Sequence, residues 1–336
     1  MIKKPAYNIA IAGATGAVGE ELLKVLSKRK FPVGELRLLA SARSVGKKMK
    51  FNGKEYPVAE LKADSFAGID IAFFSAGGSR SLEFVPAAVK AGAVVVDNSS
   101  AYRMDPNVPL VVPEINPEDV QKHRGIIANP NCTTIIAGMA VWPIHKIAKV
   151  KRMVVSTYQA VSGAGAKAID ELEKQTRDYL DKKPISKTIF KHPIAFNLFS
   201  HDSKLGPEGY SEEEMKVVKE TRKIFHDESI LITPTAVRVP VFRAHAEAIH
   251  LELEKPVSLE AARKALEAMP GVTIVDDREK NHFPMPQEVS GEDNVFVGRI
   301  RKDLGLPNGL NLFVCGDQIL KGAALNAVQI AEELIR

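Results

Sequence analysis

Tyr7-Asn8-Ile9-Ala10-Ile11-Ala12, followed by Gly13-Ala14-Thr15-Gly16-Ala17-Val18-Gly19 and then by Glu20-Glu21-Leu22-Leu23-Lys24-Val25-Leu26, carries the strongest fold signal in this 336-residue chain. An apolar strand runs into three glycines at a spacing of three, and a helical pattern opens directly after them. Glycines let the backbone turn tightly and come close to a pyrophosphate, which then rests on the N-terminus of the helix. The strand-turn-helix context separates this motif from a plain glycine turn. The turn starting at Gly13 is therefore predicted to hold a dinucleotide.

Further apolar strand-like runs recur at Leu36 to Ala40, Ile69 to Ser75, Val94 to Asn98 and Ile126 to Ala128, with helical patterns at Glu20 to Ser27 and Ser81 to Ala91. Continuous apolar strands with helical crossovers predict an α/β fold, a doubly wound, Rossmann-like parallel sheet. In such sheets ligands bind outside the carboxyl ends of the strands, so the small-residue loop at Ser75 and the segment Asp97-Asn98-Ser99-Ser100 are expected to face the cofactor. An NAD enzyme usually carries an acid after the second strand for the ribose 2′-hydroxyl. This chain instead reads Ser41-Ala42-Arg43-Ser44, a set suited to a 2′-phosphate, so NADP is the predicted cofactor.

From about Lys151 the character changes. A strand at Met153 to Val161, a helix at Ala166 to Leu180, an aperiodic stretch at Lys183 to Gly209 and a helix opened by the capping box Ser211-Glu212-Glu213-Glu214 are followed by strands at Leu231 to Val241, His245 to Leu253, Val272 to Val275, Val295 to Arg301 and Gly309 to Gly316. Few crossovers separate these strands, which predicts an α+β domain with a mostly antiparallel sheet. The aperiodic stretch reads as a loop that organises a site or a subunit contact. Gln318 to Arg336 is a terminal helix whose apolar face is expected to return to the first domain. The predicted division is 1–130 plus 318–336 for NADP binding and 131–317 for catalysis and dimerisation.

Cys132 is the leading chemical candidate, because Asn129-Pro130-Asn131-Cys132-Thr133-Thr134 turns a strand into an apolar helix. At a helix N-terminus the free N–H groups and the positive dipole end favour thiolate and can receive the oxyanion formed when it attacks a carbonyl. An inert buried thiol is the alternative. His245 opens a strand in which it shares one face with Glu247, Ile249, Leu251 and Leu253, and is expected to reach a cleft and exchange protons near neutral pH. Arg238, between apolar strand residues, needs either solvent or an acidic partner, and a substrate carboxylate would suit it. Arg103 and Lys216 are further cations for an oxyanion, with an exposed salt bridge as the plainer reading of each, Glu212–Lys216 being an i,i+4 pair.

Composition narrows the function classes. The net charge of +5 is spread along the chain with acids interspersed and aromatics sparse, which favours small anionic substrates over nucleic acid. Two cysteines, Cys132 and Cys315, form neither a disulfide framework nor a metal-ligand spacing, so no metal is predicted. No apolar stretch reaches membrane-spanning length, and Met1-Ile2-Lys3-Lys4-Pro5-Ala6 leads into the first strand without a signal-peptide core, so a reducing, cytoplasmic setting is expected.

Taken together, the motifs resemble those of the aspartate-β-semialdehyde dehydrogenase family. The carriers are GATGAVG at Gly13 to Gly19, DNSSAYRMD at Asp97 to Asp105, VVPEIN at Val111 to Asn116, NPNCTT at Asn129 to Thr134, STYQAVSGAGAKAI at Ser156 to Ile169, EEEMKVVKETRKI at Glu212 to Ile224, RVPVFRAHAE at Arg238 to Glu247 and GDQILKGAALNAVQ at Gly316 to Gln329. The resemblance implies NADPH-dependent reductive dephosphorylation of L-4-aspartyl phosphate to aspartate semialdehyde, on the route to lysine, threonine, methionine and diaminopimelate, by a homodimer or a tetramer of dimers. It implies a thioester on Cys132, with Gln159 orienting it and His245 as acid/base catalyst. Arg103, Asn131 and Lys216 then match phosphate-binding positions, and Glu213 and Arg238 match those for the substrate's amino and carboxylate groups. Thr15, Gly16, Ala17, Val18, Arg43, Ser44, Ser162, Gly163 and Gln318 match cofactor positions, with Pro193 a further contact left open. N-acetylglutamyl-phosphate reductase, glyceraldehyde-3-phosphate dehydrogenase and a non-catalytic NADP-binding regulator remain as rival readings.

Overall fold

Strands buried on both faces build the first of two compact units in the computed structural model, which describes residues 3–336; Met1 and Ile2 of the opening run lie outside the described residues. This unit comprises Met1–Asn131 and Ala323–Arg336. Its elements are β1 (Tyr7–Ala12), α1 (Ala17–Lys28), β2 (Val33–Ala40), β3 (Lys48–Phe51), β4 (Lys54–Glu60), β5 (Ile71–Phe74), α2 (Gly78–Lys90), β6 (Val94–Asp97) and β7 (Ile126–Ala128). They form one sheet in the order β3-β4-β2-β1-β5-β6-β7, parallel throughout except for the β3–β4 edge pair. Chain order reverses on either side of β1, and at such a switch the loops after neighbouring strands splay apart to leave a crevice. The β3–β4 hairpin is absent from the sequence reading. Its strands are short and charged, as an edge requires, and turn through Asn52 and Gly53, both with positive φ.

The second unit comprises Cys132–Gly322. It contains α3 (Cys132–Ala148), β8 (Val150–Gln159), α4 (Ala166–Leu180), β9 (Phe199–Ser200), α5 (Glu212–Phe225), β10 (Leu231–Arg238), β11 (His245–Leu253), α6 (Leu259–Glu267), β12 (Val272–Ile274), α7 (Pro286–Val289), β13 (Val295–Lys302) and β14 (Gly309–Gly316). The sheet order is β12-β13-β14-β11-β8-β10-β9, antiparallel except for the β12–β13 and β8–β10 pairs. A mostly parallel sheet in one unit and a mostly antiparallel sheet in the other match the predicted fold class. The chain does not enter the terminal helix at Gln318: a π-helical turn spans Leu320–Ala324, and α8 runs over Leu325–Ile335. Within the first unit α8 is fastened by Asn326 Nδ2, which donates to Val111 O at 2.9 Å and Asn129 Oδ1 at 2.7 Å.

The Lys183 to Gly209 stretch is held from inside by α4. Glu171 accepts from the amides of Thr188 (2.9 Å) and Phe190 (3.4 Å), and Gln175 Oε1 accepts from those of Ile194 (2.8 Å) and Ala195 (3.2 Å). Burial pushes the Glu171 carboxyl up, but the bonds from Thr188, Ile189 and Phe190 outweigh it and leave the group below its usual range. A carboxylate depressed on folding contributes stability that is present above its unfolded pKa and is lost as pH falls through the folded value. Glu171→Gln is therefore expected to lower stability by about 1.5–3 kcal/mol at neutral pH, the usual worth of bonds to a charged acceptor. Thermal melts should show this deficit shrinking as the pH is taken below the carboxylate range. Among the described residues no helix is long and apolar enough to cross a membrane.

Candidate active site

The first unit carries a cleft of about 720 Å³ at the carboxyl ends of its central strands, lined among others by Gly13, Thr15, Gly16, Arg43, Ser75 and Phe84. Gly13 has φ of +89°, and a Cβ on it would lie 2.3 Å from Ser75 O; a Cβ on Gly19 would lie 2.3 Å from Gly13 O. Only glycine therefore lets the turn close on the strand beside it. Thr15 Oγ1 sits 3.3 Å from Ser44 Oγ, joining the glycine turn to the loop after β2. Ala17 and Val18 form the first turn of α1, where N–H groups project. Glu60 also lines the cleft, but its carboxylate is paired with Lys62 at 3.0 Å. Arg43 is exposed. The donors, the cradle and the free basic side chain fit the phosphates of NADP.

Arg103 and Asn131 also lie in the first unit and are buried. Arg103 Nε donates to Asn129 O at 2.9 Å and Nη2 to Asn98 O at 2.7 Å, which fixes the guanidinium beside the ends of β6 and β7. Arg103 is thus a fixed, buried cation rather than a free surface one.

In the second unit the remaining candidates converge on one end of the sheet. Gln159 ends β8 in register with Arg238, which ends β10, and His245 opens β11 opposite Gly316 at the end of β14. Cys132 is the first residue of α3, a helix buried nearly all round, and is itself half-buried. Gly322, in the π-turn, presses against it: a Cβ there would lie 2.8 Å from the Cys132 Cβ. Gln159 is buried and its Nε2 donates to Thr133 Oγ1 at 2.9 Å and to Glu213 Oε1 at 3.2 Å, tying the residue after Cys132 to the first turn of α5. That turn is set by the predicted capping box, in which Ser211 and Glu214 satisfy each other's backbone N–H groups. Lys216 Nζ lies 2.8 Å from Glu213 Oε2, so its partner is the inward-facing Glu213 three residues before it and not the Glu212 expected from sequence.

His245 is 1 % exposed, and burial pushes its imidazole down to about 3, with Arg238 adding to the effect. The expected titration near neutrality is therefore corrected: this ring is neutral throughout the physiological range. The Ala160 N–H donates to Nδ1 at 3.0 Å, which places the proton of the neutral ring on Nε2. A Cβ on Gly163 would lie 3.5 Å from that nitrogen, so the glycine keeps its approach open. Arg238 is buried and donates to Ala160 O at 3.0 Å, while its Nε has no acceptor. Gln318 Oε1 accepts from the Ala244 N–H at 2.8 Å and its Nε2 donates to Ser162 Oγ, so two predicted cofactor residues share one bond.

Cys315 is fully buried, and burial, aided by Glu247, pushes its thiol above the usual range. It is the inert cysteine of the pair. Thr133, Asp317 and Gly322 escaped the sequence reading. Asp317, which follows β14, accepts from the Ile319 and Leu320 amides and from Arg243 Nε, shaping the turn that carries Gln318 and Gly322.

Two family models match the chain: "Semialdehyde dehydrogenase, NAD binding domain" over residues 8–123 and "Semialdehyde dehydrogenase, dimerisation domain" over residues 141–321. A protein of Synechocystis named aspartate-semialdehyde dehydrogenase is 57% identical over 328 residues, spanning 98% of this chain and 97% of its own length. One of the same name from Aquifex aeolicus is 56% identical over 334 residues, 98% of each chain. Among solved structures, aspartate semialdehyde dehydrogenase II of Vibrio cholerae, complexed with ASA, matches with a TM-score of 0.96 at 47% identity, covering 99% of each chain.

Proposed function

Because the chain belongs to the aspartate-semialdehyde dehydrogenase family, we propose that it reduces L-4-aspartyl phosphate to aspartate 4-semialdehyde and phosphate with NADPH, through a thioester on Cys132, in amino-acid biosynthesis. The observation that carries this reading is the clustering of a half-buried helix-terminal thiol, the amide of Gln159 and the paired charges of Glu213 and Lys216 in one unit of the chain.

The chemistry follows from that arrangement. The Cys132 sulfur attacks the acyl carbon, the carbon–oxygen bond to phosphate breaks, and phosphate leaves with the electron pair. Covalent capture splits one hard step into two easier ones. NADPH, when bound, supplies the hydride that reduces the thioester carbon. His245 holds a proton on Nε2 to hydrogen-bond the oxygen that gains charge in that step, Gln159 orients the acyl group, and as the carbonyl re-forms the carbon–sulfur bond breaks, releasing the semialdehyde and returning Cys132 as thiolate. Arg103, Asn131 and Lys216 hold the phosphate; losing one such stabilising contact in comparable sites costs roughly 3 kcal/mol, about a hundredfold in rate. Arg238 takes the substrate carboxylate and Glu213 its amino group. The pairing of Lys216 with Glu213 supports a site that receives both signs of charge.

For the cofactor, Gly13, Thr15, Gly16, Ala17, Val18, Arg43, Ser44 and Ser75 are assigned in the first unit, and Ser162, Gly163 and Gln318 in the second. Arg43→Ala is expected to raise KM for NADP roughly tenfold to a hundredfold, the worth of one charge-assisted bond, while leaving KM for NAD nearly unchanged. Steady-state rates with both cofactors check this. The functional division assigned is 1–130 plus 318–336 for cofactor binding and 131–317 for catalysis and dimerisation. A homodimer, or a tetramer of dimers, is supported by the dimerisation-domain match and by exposed Tyr158, Phe196, Leu198 and Leu231. The cytoplasm is the assigned compartment, on the strength of a thiol that must stay reduced.

The test is NADPH formation from aspartate semialdehyde and phosphate by the purified protein, repeated with arsenate, with NAD, and with N-acetylglutamate semialdehyde as the rival substrate. Phosphate-dependent turnover selective for aspartate semialdehyde is expected. Turnover of only the acetylated substrate would transfer the assignment to the reductase reading.

A further inference from the structure

Arg238 is held by more than its own strand. Its Nη1 donates to Ala160 O, its face lies 5.5 Å from the centre of the Phe190 ring, and its Nη2 lies 2.7 Å from His201 Nε2. A guanidinium can only donate, so His201 Nε2 is the lone-pair nitrogen and the proton of the neutral ring sits on Nδ1. In that tautomer Nδ1 donates to Ser203 Oγ at 3.1 Å; the Ser203 N–H is aimed at the same nitrogen from 3.2 Å, and the two contacts exclude each other. The Ser203 hydroxyl also accepts from the Glu213 N–H at 3.3 Å. His201 therefore links the end of β10 to the first turn of α5, the two places assigned to the substrate's carboxylate and amino groups.

We propose that His201 is a positioning residue for the amino-acid substrate: its neutral imidazole fixes the Arg238 guanidinium so that the remaining N–H groups meet the substrate carboxylate, and protonation of His201 releases that cation. The proposal rests on the assignment of Arg238 to the substrate carboxylate. A protonated ring would present an N–H to another N–H and a positive charge to a positive charge, so the contact cannot survive it. Burial and Arg238 lower the His201 pKa, with Lys216 adding, while Glu213 and Asp202 act the other way. The release is therefore expected on the acid side of the ordinary imidazole range. Because an acceptor is all that Arg238 requires, glutamine should substitute for histidine and leucine should not.

The experiment is steady-state NADPH formation from aspartate semialdehyde, phosphate and NADP by the wild type, His201→Leu and His201→Gln, between about pH 5 and pH 8. His201→Leu should raise KM for the semialdehyde roughly tenfold or more, with KM for NADP and kcat within about twofold, because a charged hydrogen bond that orders the binding group is lost. His201→Gln should recover most of that loss. In the wild type KM for the semialdehyde should climb as pH falls, and the climb should be absent from His201→Gln. An unchanged KM in His201→Leu, an equal loss in kcat and both KM values, or the same acid limb in His201→Gln would each overturn the proposal. A folding defect in His201→Leu would show as a lowered melting temperature, and the decision then passes to the pH profile of His201→Gln. Should the wild type itself show no phosphate-dependent turnover of the semialdehyde, the assigned reaction fails and this proposal with it. An active wild type beside an indifferent His201→Leu sinks the proposal alone.

Discussion

Cys132→Ala is expected to abolish turnover, a fall on the order of 10⁴-fold or more, as when the nucleophile is removed from other covalent enzymes. The physical reason is that no other thiol can take its place. Cys315 is sealed in the core with its thiol pushed above the usual range, whereas Cys132 opens α3 and keeps partial exposure. Losing the sulfur removes no large core volume, so the melting temperature and NADP binding should stay close to those of the wild type. Cys132→Ser keeps the size but supplies a far weaker nucleophile and should leave at most a trace of activity. Normal turnover in a purified Cys132→Ala protein would refute covalent capture at this position.

His245→Asn should lower kcat by about 10²- to 10⁴-fold, the range for loss of a positioned proton donor or acceptor. Asparagine can still accept from the Ala160 amide, so the backbone at the end of β8 should hold while the Nε2 proton is lost. The two variants differ in a way that kinetics can separate. His245→Asn should still form the thioester on Cys132, only slowly reduced or released, whereas Cys132→Ala forms none. The acid behaviour of His245 has a definite sign. Its folded pKa is depressed to about 3, so the unfolded chain binds the extra proton first, and folding stability falls as pH drops from the ordinary imidazole value towards the folded one. Thermal melts across that window should show a smaller acid-induced drop for His245→Asn than for the wild type. For the same reason the wild-type rate should show no limb near neutrality that belongs to this imidazole.

Much of the fold and of the site is legible in the sequence. The glycine turn could be read because its strand is continuously apolar and its helix starts at once; close packing of Gly13 and Gly19 against neighbouring backbone is the reason for two of its three glycines. The terminal thiol could be read because Asn129-Pro130 breaks the strand before a predominantly apolar helix. What escaped depended on distance or depth. The period-two pattern placed His245 on an inward row but could not say how deep that row lies, so the neutral ring was missed. Helical spacing offered Lys216 two acidic neighbours, and only the packing of α5 selects Glu213. The β3–β4 hairpin carries charged, edge-type strands with no alternation, although Asn52-Gly53 was a usable turn signal. His201 gave no signal at all, being one of two histidines in an aperiodic loop, with its Arg238 partner 37 residues away.

The most direct measurement is a single-turnover reaction in the absence of phosphate. Protein, NADP and aspartate semialdehyde are mixed, NADPH is followed by absorbance, and the acid-quenched protein is digested and weighed peptide by peptide. Oxidation of the hemithioacetal formed on the sulfur predicts a burst of NADPH equal to the sites present, one aspartyl group on the peptide containing Cys132, and its discharge on adding phosphate. Phosphate-dependent steady turnover with no burst and an unmodified Cys132 peptide would contradict it.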